Sequence, residues 1–241
     1  MNRPRNDSGW KLIPIVAASG FAGLGYEIVW TRELSLALGS DMMAVLGAVA
    51  GFFGGLALGA FALDRPIRRA RSPRSAYAAL EAVIGLWGLI SVWLLPAAGR
   101  ALSPFLGTEP APALLWAASF ALPALALLPA TAAMGGTLIA LERMMSEARA
   151  DARVSAGVYG ANTAGAVAGT LISTFFLLPA LGLSGTLLCL AGLNALCALG
   201  YPDLASTFSL GNESSTLWHW RNGFELMPYP ASPRLVNKWD E

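Results

Sequence analysis

Long apolar runs separated by short polar or basic segments dominate the chain. Six reach the roughly 20 residues that carry a helix across about 30 Å of hydrocarbon. They are Leu12–Trp30, Met42–Leu63, Ala76–Pro96, Ala113–Leu141, Val154–Leu178 and Leu183–Tyr201. The runs are continuous and rich in Ala, Leu and Gly, without the apolar/polar alternation of lipid-facing strands, so they predict helices. The expected fold is all-α: a polytopic bundle of six transmembrane helices over residues 1–201, followed by a cytoplasmic or interfacial tail over 202–241. The first run follows Arg3, Arg5 and Lys11 and contains the small residues Ala17, Ala18 and Ser19, as a signal peptide would. It extends well past any cleavage site there, which fits a retained span.

The fourth run is too long for one perpendicular crossing, at roughly 43 Å as a straight helix. Pro123 and Pro129 each remove a backbone donor within it, which predicts a kinked or broken span. Its lower half, from Ala130 to about Ala148, is then expected to run out into the cytoplasm.

Basic residues give the orientation. The N-terminal tail holds Arg3, Arg5 and Lys11, the segment after the second run holds Arg65, Arg68, Arg69, Arg71 and Arg74, and the segment after the fourth holds Arg143, Arg149 and Arg153. Only Arg32 and Arg100 fall in the alternate loops. The positive-inside rule places both chain ends in the cytoplasm after six crossings, with the plasma membrane as the expected location.

Composition agrees with this pattern. Hydrophobic residues make up 55% of the 241 and charged residues 13%, where soluble domains carry about 25% charge. A net charge of +1 with a single histidine offers no basic field for nucleic acid. The two cysteines, Cys189 and Cys197, lie two helical turns apart in the sixth run and have no zinc spacing, so they read as small packing residues. His219 between Trp218 and Trp220 reads as part of an interfacial aromatic belt rather than as a metal ligand.

Helices associate in lipid through close backbone approach and interhelical polar contacts. Gly47, Gly51, Gly55 and Gly59 form one stripe of small residues at four-residue spacing, and Gly157, Ala161, Gly165 and Gly169 form another. Both are expected to face neighbouring helices as packing seams.

Charged groups in hydrocarbon are costly and mark candidate sites. Glu27 lies near the outer end of the first run, paired with Arg32 or reaching the interface, and Glu81 lies near the inner end of the third. About 15 Å of depth between them excludes a shared acid–base role. Thr137, Tyr159 and Asn162 fall at the depth of Glu81. They predict a polar cluster of Glu81, Thr137, Tyr159 and Asn162, either interhelical glue or a cation or amine site open to the cytoplasm. Asn194 is a further interhelical hydrogen-bonding candidate.

No phosphate loop, dinucleotide fingerprint, nucleophile elbow or zinc-protease motif is present, so no catalytic residue, cofactor or metal ligand is assigned. The 202–241 tail is too short for a nucleotide-binding domain.

The segments SGFAGLGYEIVWTRELSLALGS and AVLGAVAGFFGGLALGAF resemble the opening of the membrane domain of the fused MFS/spermidine-synthase proteins. YAALEAVIGL, LLPATAAMGGTLIALER and GVYGANTAGAVAGTLISTFFLLPALGLSGTLL are similar to the family's later segments, so the resemblance covers about residues 12 to 200 in order. In that family the membrane part commonly precedes a cytoplasmic Rossmann-like domain resembling aminopropyltransferases, which move an aminopropyl group from decarboxylated S-adenosylmethionine to a diamine. That domain is missing from this pattern, so none of its active-site residues carries over. The resemblance carries the membrane architecture and the motif residues Glu27, Trp30, Arg32, Glu81, Tyr159, Asn162 and Gly165. It implies a non-catalytic membrane module, transporter-like or anchoring a separate partner and linked to polyamines; the alternative is the membrane subunit of an aminopropyltransferase whose catalytic domain is on another chain. Expected partners are the lipid bilayer and a soluble aminopropyltransferase-like protein or a second copy of the chain.

Overall fold

The computed structural model describes residues 12–107, 111–147 and 151–200, all within the first of the two units into which the chain divides, Met1–Ser209. The tail expected over 202–241, with His219 and its flanking tryptophans, lies outside the described residues, as do Arg3, Arg5, Lys11 and Arg149. Among the described residues the structure is all-helical: α1 (Ile13–Leu38), α2 (Asp41–Arg69), α3 (Pro73–Leu106), α4 (Pro112–Glu147), α5 (Ala152–Ile172), a π-helical turn (Ser173–Leu177) and α6 (Leu178–Leu199).

Local chemistry marks the helix ends. Gly39 closes α1 in the left-handed region at φ 68°, where a side chain would crowd the following carbonyl. Ser40 and Ser72 cap α2 and α3 by accepting from the Met43 and Ser75 amides. Asp151 caps α5 by accepting from the Val154 amide at 2.9 Å. The α4 helix is assigned without a break through Pro123 and Pro129, so the prolines do not divide it. At 36 residues it reaches about 54 Å.

Five helical stretches are long and apolar enough to cross a membrane, not six. The fifth and sixth expected runs share one 48-residue stretch, Ala152–Leu199. The reason is local: no loop separates them, because the π turn passes the backbone ladder directly from α5 to α6. Within this stretch Gly182 has non-helical angles, φ 68° and ψ −174°. The segments on either side of it lie on α1 in opposite senses. Gly165, Gly169 and Ser173 meet Ala17, Phe21 and Gly25 in rising order, whereas Leu190 meets Gly25 and Gly200 meets Ile15 in falling order.

The two most extensive helix pairs are α2 with α4 and α1 with α5, and each contains a small-residue stripe. Cβ atoms on Gly47, Gly55 and Gly59 would run into Ser119, Thr131 and Ala132 of α4, and Gly51 lies against Pro123. Cβ atoms on Gly165 and Gly169 would run into the backbone of Ala17 and Phe21, while Gly157 and Ala161 are half-buried. Glycine is required where backbones come this close, because any side chain would hold the helices apart. One apolar cluster includes Tyr26, Trp30, Leu34, Phe52, Ile84, Leu127 and Leu187. A second, toward the other end of the bundle, joins Val16, Ile67, Tyr77, Leu141, Met144 and Val158.

Candidate functional site

The α1, α3 and α6 helices bring polar groups together around Glu81, which is 0% exposed. Ser19 Oγ on α1 donates to Glu81 Oε1 at 2.5 Å, and Asn194 Nδ2 on α6 donates to Oε2 at 2.5 Å. Tyr77, one helical turn before Glu81 on α3, also hydrogen-bonds it and lies within reach of Ser19. The carboxyl is thus surrounded by donors from three helices. Such a group tolerates burial because its lone pairs are occupied, even without a neighbouring cationic side chain.

This partner set differs from the expected cluster of Glu81, Thr137, Tyr159 and Asn162. Thr137 is buried, but its hydroxyl donates to the Met134 carbonyl of its own helix at 2.6 Å. Tyr159 is 43% exposed. Asn162 packs against Gly20 of α1. The four residues share a depth but not a direction, since α5 packs chiefly on α1 whereas Glu81 points between α1 and α6. Of the residues near Glu81, sequence reasoning singled out Asn194 as an intramembrane amide but missed Tyr77, whose four-residue spacing from Glu81 was the available signal. Ser19 had no comparable signal in the sequence.

Above Glu81 the polar interior continues. Tyr26 stacks on Trp30 with ring centroids 4.9 Å apart, and Trp30 Nε1 donates to Ser91 Oγ at 3.0 Å. Trp87 Nε1 reaches the Ala126 carbonyl of α4 at 2.8 Å. Tyr26 Oη, Ser173 Oγ and Asn194 Oδ1 are buried without a hydrogen-bond partner among the described residues. Ser173 opens the π turn and lies against Gly25, next to Tyr26.

Glu27 and Arg32 do not form the expected pair. Arg32, with a 64% exposed side chain, lies 3.7 Å from Asp41, whose carboxylate also accepts from the Ser35 hydroxyl. Asp41 starts α2 immediately across the tight α1–α2 turn, which puts it within reach of Arg32. Glu27 instead lines a groove of about 400 Å³ bounded by α1, α2 and Thr170 of α5. Glu33 is a second carboxylate on α1 and is largely buried, a feature that sequence reasoning did not single out.

Cys197 is buried and its thiol approaches the Ile15 carbonyl at 3.7 Å, while Cys189 is exposed. Among the described residues no three His, Cys, Asp or Glu side chains are gathered to hold a metal ion. Glu81 lies at the level of Ser19, eight residues before Glu27 on α1 and about 12 Å along its axis. The two carboxylates therefore cannot act on one bond. No family model, curated protein or solved structure matches the chain.

Proposed function

We propose that this chain is a non-catalytic integral membrane module of the spermidine-synthase-like family, anchoring an aminopropyltransferase-like partner at the cytoplasmic face of the plasma membrane. In this reading the Ala152–Leu199 stretch turns back at Gly182 and supplies two crossings, giving six in all with both chain ends inside. The opposite senses in which α5 and α6 lie on α1 support that topology, as does the sorting of basic residues onto alternate loops.

One observation carries the anchoring reading. Glu81 is enclosed and satisfied by Ser19, Tyr77 and Asn194, which is how a carboxyl serving as interhelical glue should look. A carrier site for a cation would need that carboxylate to meet solvent. The alternative, a membrane subunit of a polyamine aminopropyltransferase, requires the same anchoring geometry and differs only in how tightly the catalytic partner is held. A transporter-like role is favoured by one feature, the discontinuity from the π turn to Gly182, because interrupted helices often border transport sites.

The test is aminopropyl transfer from decarboxylated S-adenosylmethionine to putrescine, assayed in washed membranes with and without this chain. Anchoring predicts activity that leaves the membrane fraction when the chain is removed. In proteoliposomes of the purified chain, polyamine uptake should equal that of empty vesicles. Uptake that depends on the protein and disappears in Glu81→Gln would establish a carrier instead.

A further inference from the structure

The groove at Glu27 has features that packing between helices does not explain. Its α1 side is a single helical stripe, Leu24, Glu27, Ile28, Thr31, Arg32 and Ser35, spaced three and four residues apart and therefore on one face. Across from it stand Asp41, Val45 and Val49 of α2, at four-residue spacing. Val45 and Val49 are 48% and 39% exposed, so the groove lies on the outer flank of the bundle. At its outer end Arg32 and Asp41 neutralise one another. Glu27 has no hydrogen bond or ion pair with any other described residue. The charge left over in the groove is therefore one carboxylate, placed between apolar walls within a membrane-crossing helix.

We propose that this groove binds an amphiphilic organic cation, an alkylammonium whose amine meets Glu27 and whose hydrocarbon lies along Ile28, Val45 and Val49. An intramembrane carboxylate needs hydrogen-bond donors or a positive partner, and among the described residues none supplies either to Glu27. A hydrated inorganic cation would have to give up its water for one carboxylate and the Thr31 and Thr170 hydroxyls. An alkylammonium carries its own apolar surface into contact with the valines and offers its N–H donors to the carboxylate. An anionic amphiphile would face two carboxylates against one guanidinium, so charge selects against it. The ligand is a free amine rather than an amine-bearing lipid headgroup: Glu27 lies five residues, about 7.5 Å, deeper than Arg32 along α1. A lipid whose phosphate met Arg32 would have its acyl chains, not its amine, at that level. This inference concerns a different site from the anchoring role and does not rest on it.

The experiment compares n-hexylammonium with n-hexanol on the purified full chain in phosphatidylcholine nanodiscs, reading affinity from the ligand-dependent shift in thermal midpoint. The amine should bind at least tenfold more tightly than the alcohol. Glu27→Gln should abolish that preference, while Glu142→Gln, which removes an exposed carboxylate of α4, should keep it. Equal binding of amine and alcohol by the unaltered chain overturns the proposal whatever the variants do. So does an undiminished preference in Glu27→Gln. Loss of hexylammonium binding when phosphatidylethanolamine replaces phosphatidylcholine would assign the groove to a lipid headgroup, and also overturns it.

Discussion

At the residue scale, the bundle's interior depends on how a single carboxyl is satisfied. Replacing Asn194 with Leu removes one of the donors to Glu81 and should destabilise the chain by about 1–2 kcal/mol, measured by reversible unfolding in detergent. Asn194→Asp should cost more than Asn194→Leu, although it conserves size, because two carboxylates would then share a dry site. The opposite order would mean that Glu81 already carries a proton available to a second carboxylate. Glu81 itself was legible in the sequence, since a lone acid in an apolar run stands out. Its partners were only partly legible. Depth along a helix can be counted from the chain, but the direction a residue faces follows from which helices become neighbours. Thr137, Tyr159 and Asn162 match Glu81 in depth, yet their side chains serve their own helix, an exposed surface and the α1–α5 seam.

Helices and their junctions raise a different set of constraints. The seam between α2 and α4 leaves no room at Gly59, where a Cβ would run into the Ala132 backbone, whereas Gly54 on the opposite side has nothing within 4 Å. Gly59→Val should therefore cost about 1–3 kcal/mol or more, and Gly54→Val should stay within about 0.5 kcal/mol of the parent. Parallel thermal melts of the two variants check this difference. Gly182 tests another property. Its surroundings are open, but its φ of 68° disfavours any side chain, so Gly182→Ala should destabilise by about 1–2 kcal/mol without any steric clash. The small-residue stripes were readable from spacing alone because close packing in lipid has few other solutions. The α5–α6 junction was legible only as a boundary between Leu178 and Leu183; that no loop separates the two helices there was not. Hydropathy shows a polar gap where a loop leaves the membrane, and here the chain passes from Ser173 to Gly182 without one. Pro123 and Pro129 signalled a kink or a break, and α4 is continuous through both, so of the two the break is absent.

At the scale of the whole molecule the decisive quantity is the number of crossings. In a chain carrying Cys189→Ala and Cys197→Ala, single cysteines at Arg71 and Ala111 should react with an impermeant thiol reagent from opposite sides of the membrane. Cysteines placed at Arg153 and Leu199 should react from the same side, the one that also exposes position 71. Opposite sides for 153 and 199 would make the last stretch a single crossing and reverse the inferred location of the C-terminus. All-helical architecture and membrane-crossing length could be read from composition and run length, whereas the count depended on one glycine conformation.

That glycine also governs how the protein must be made. Residues 152–199 leave the ribosome as one oily stretch with no hydrophilic connector to hold its midpoint at a membrane surface. In the proposed topology the second half can begin its return only after position 182 has emerged, and it then docks at Ile15 of α1. Until that happens, α1 has an unfilled flank. Nascent chains arrested just before Gly182 should accordingly be cleared by membrane proteases faster than chains arrested after Gly200, which makes the interval between those two positions the vulnerable moment in this protein's biogenesis.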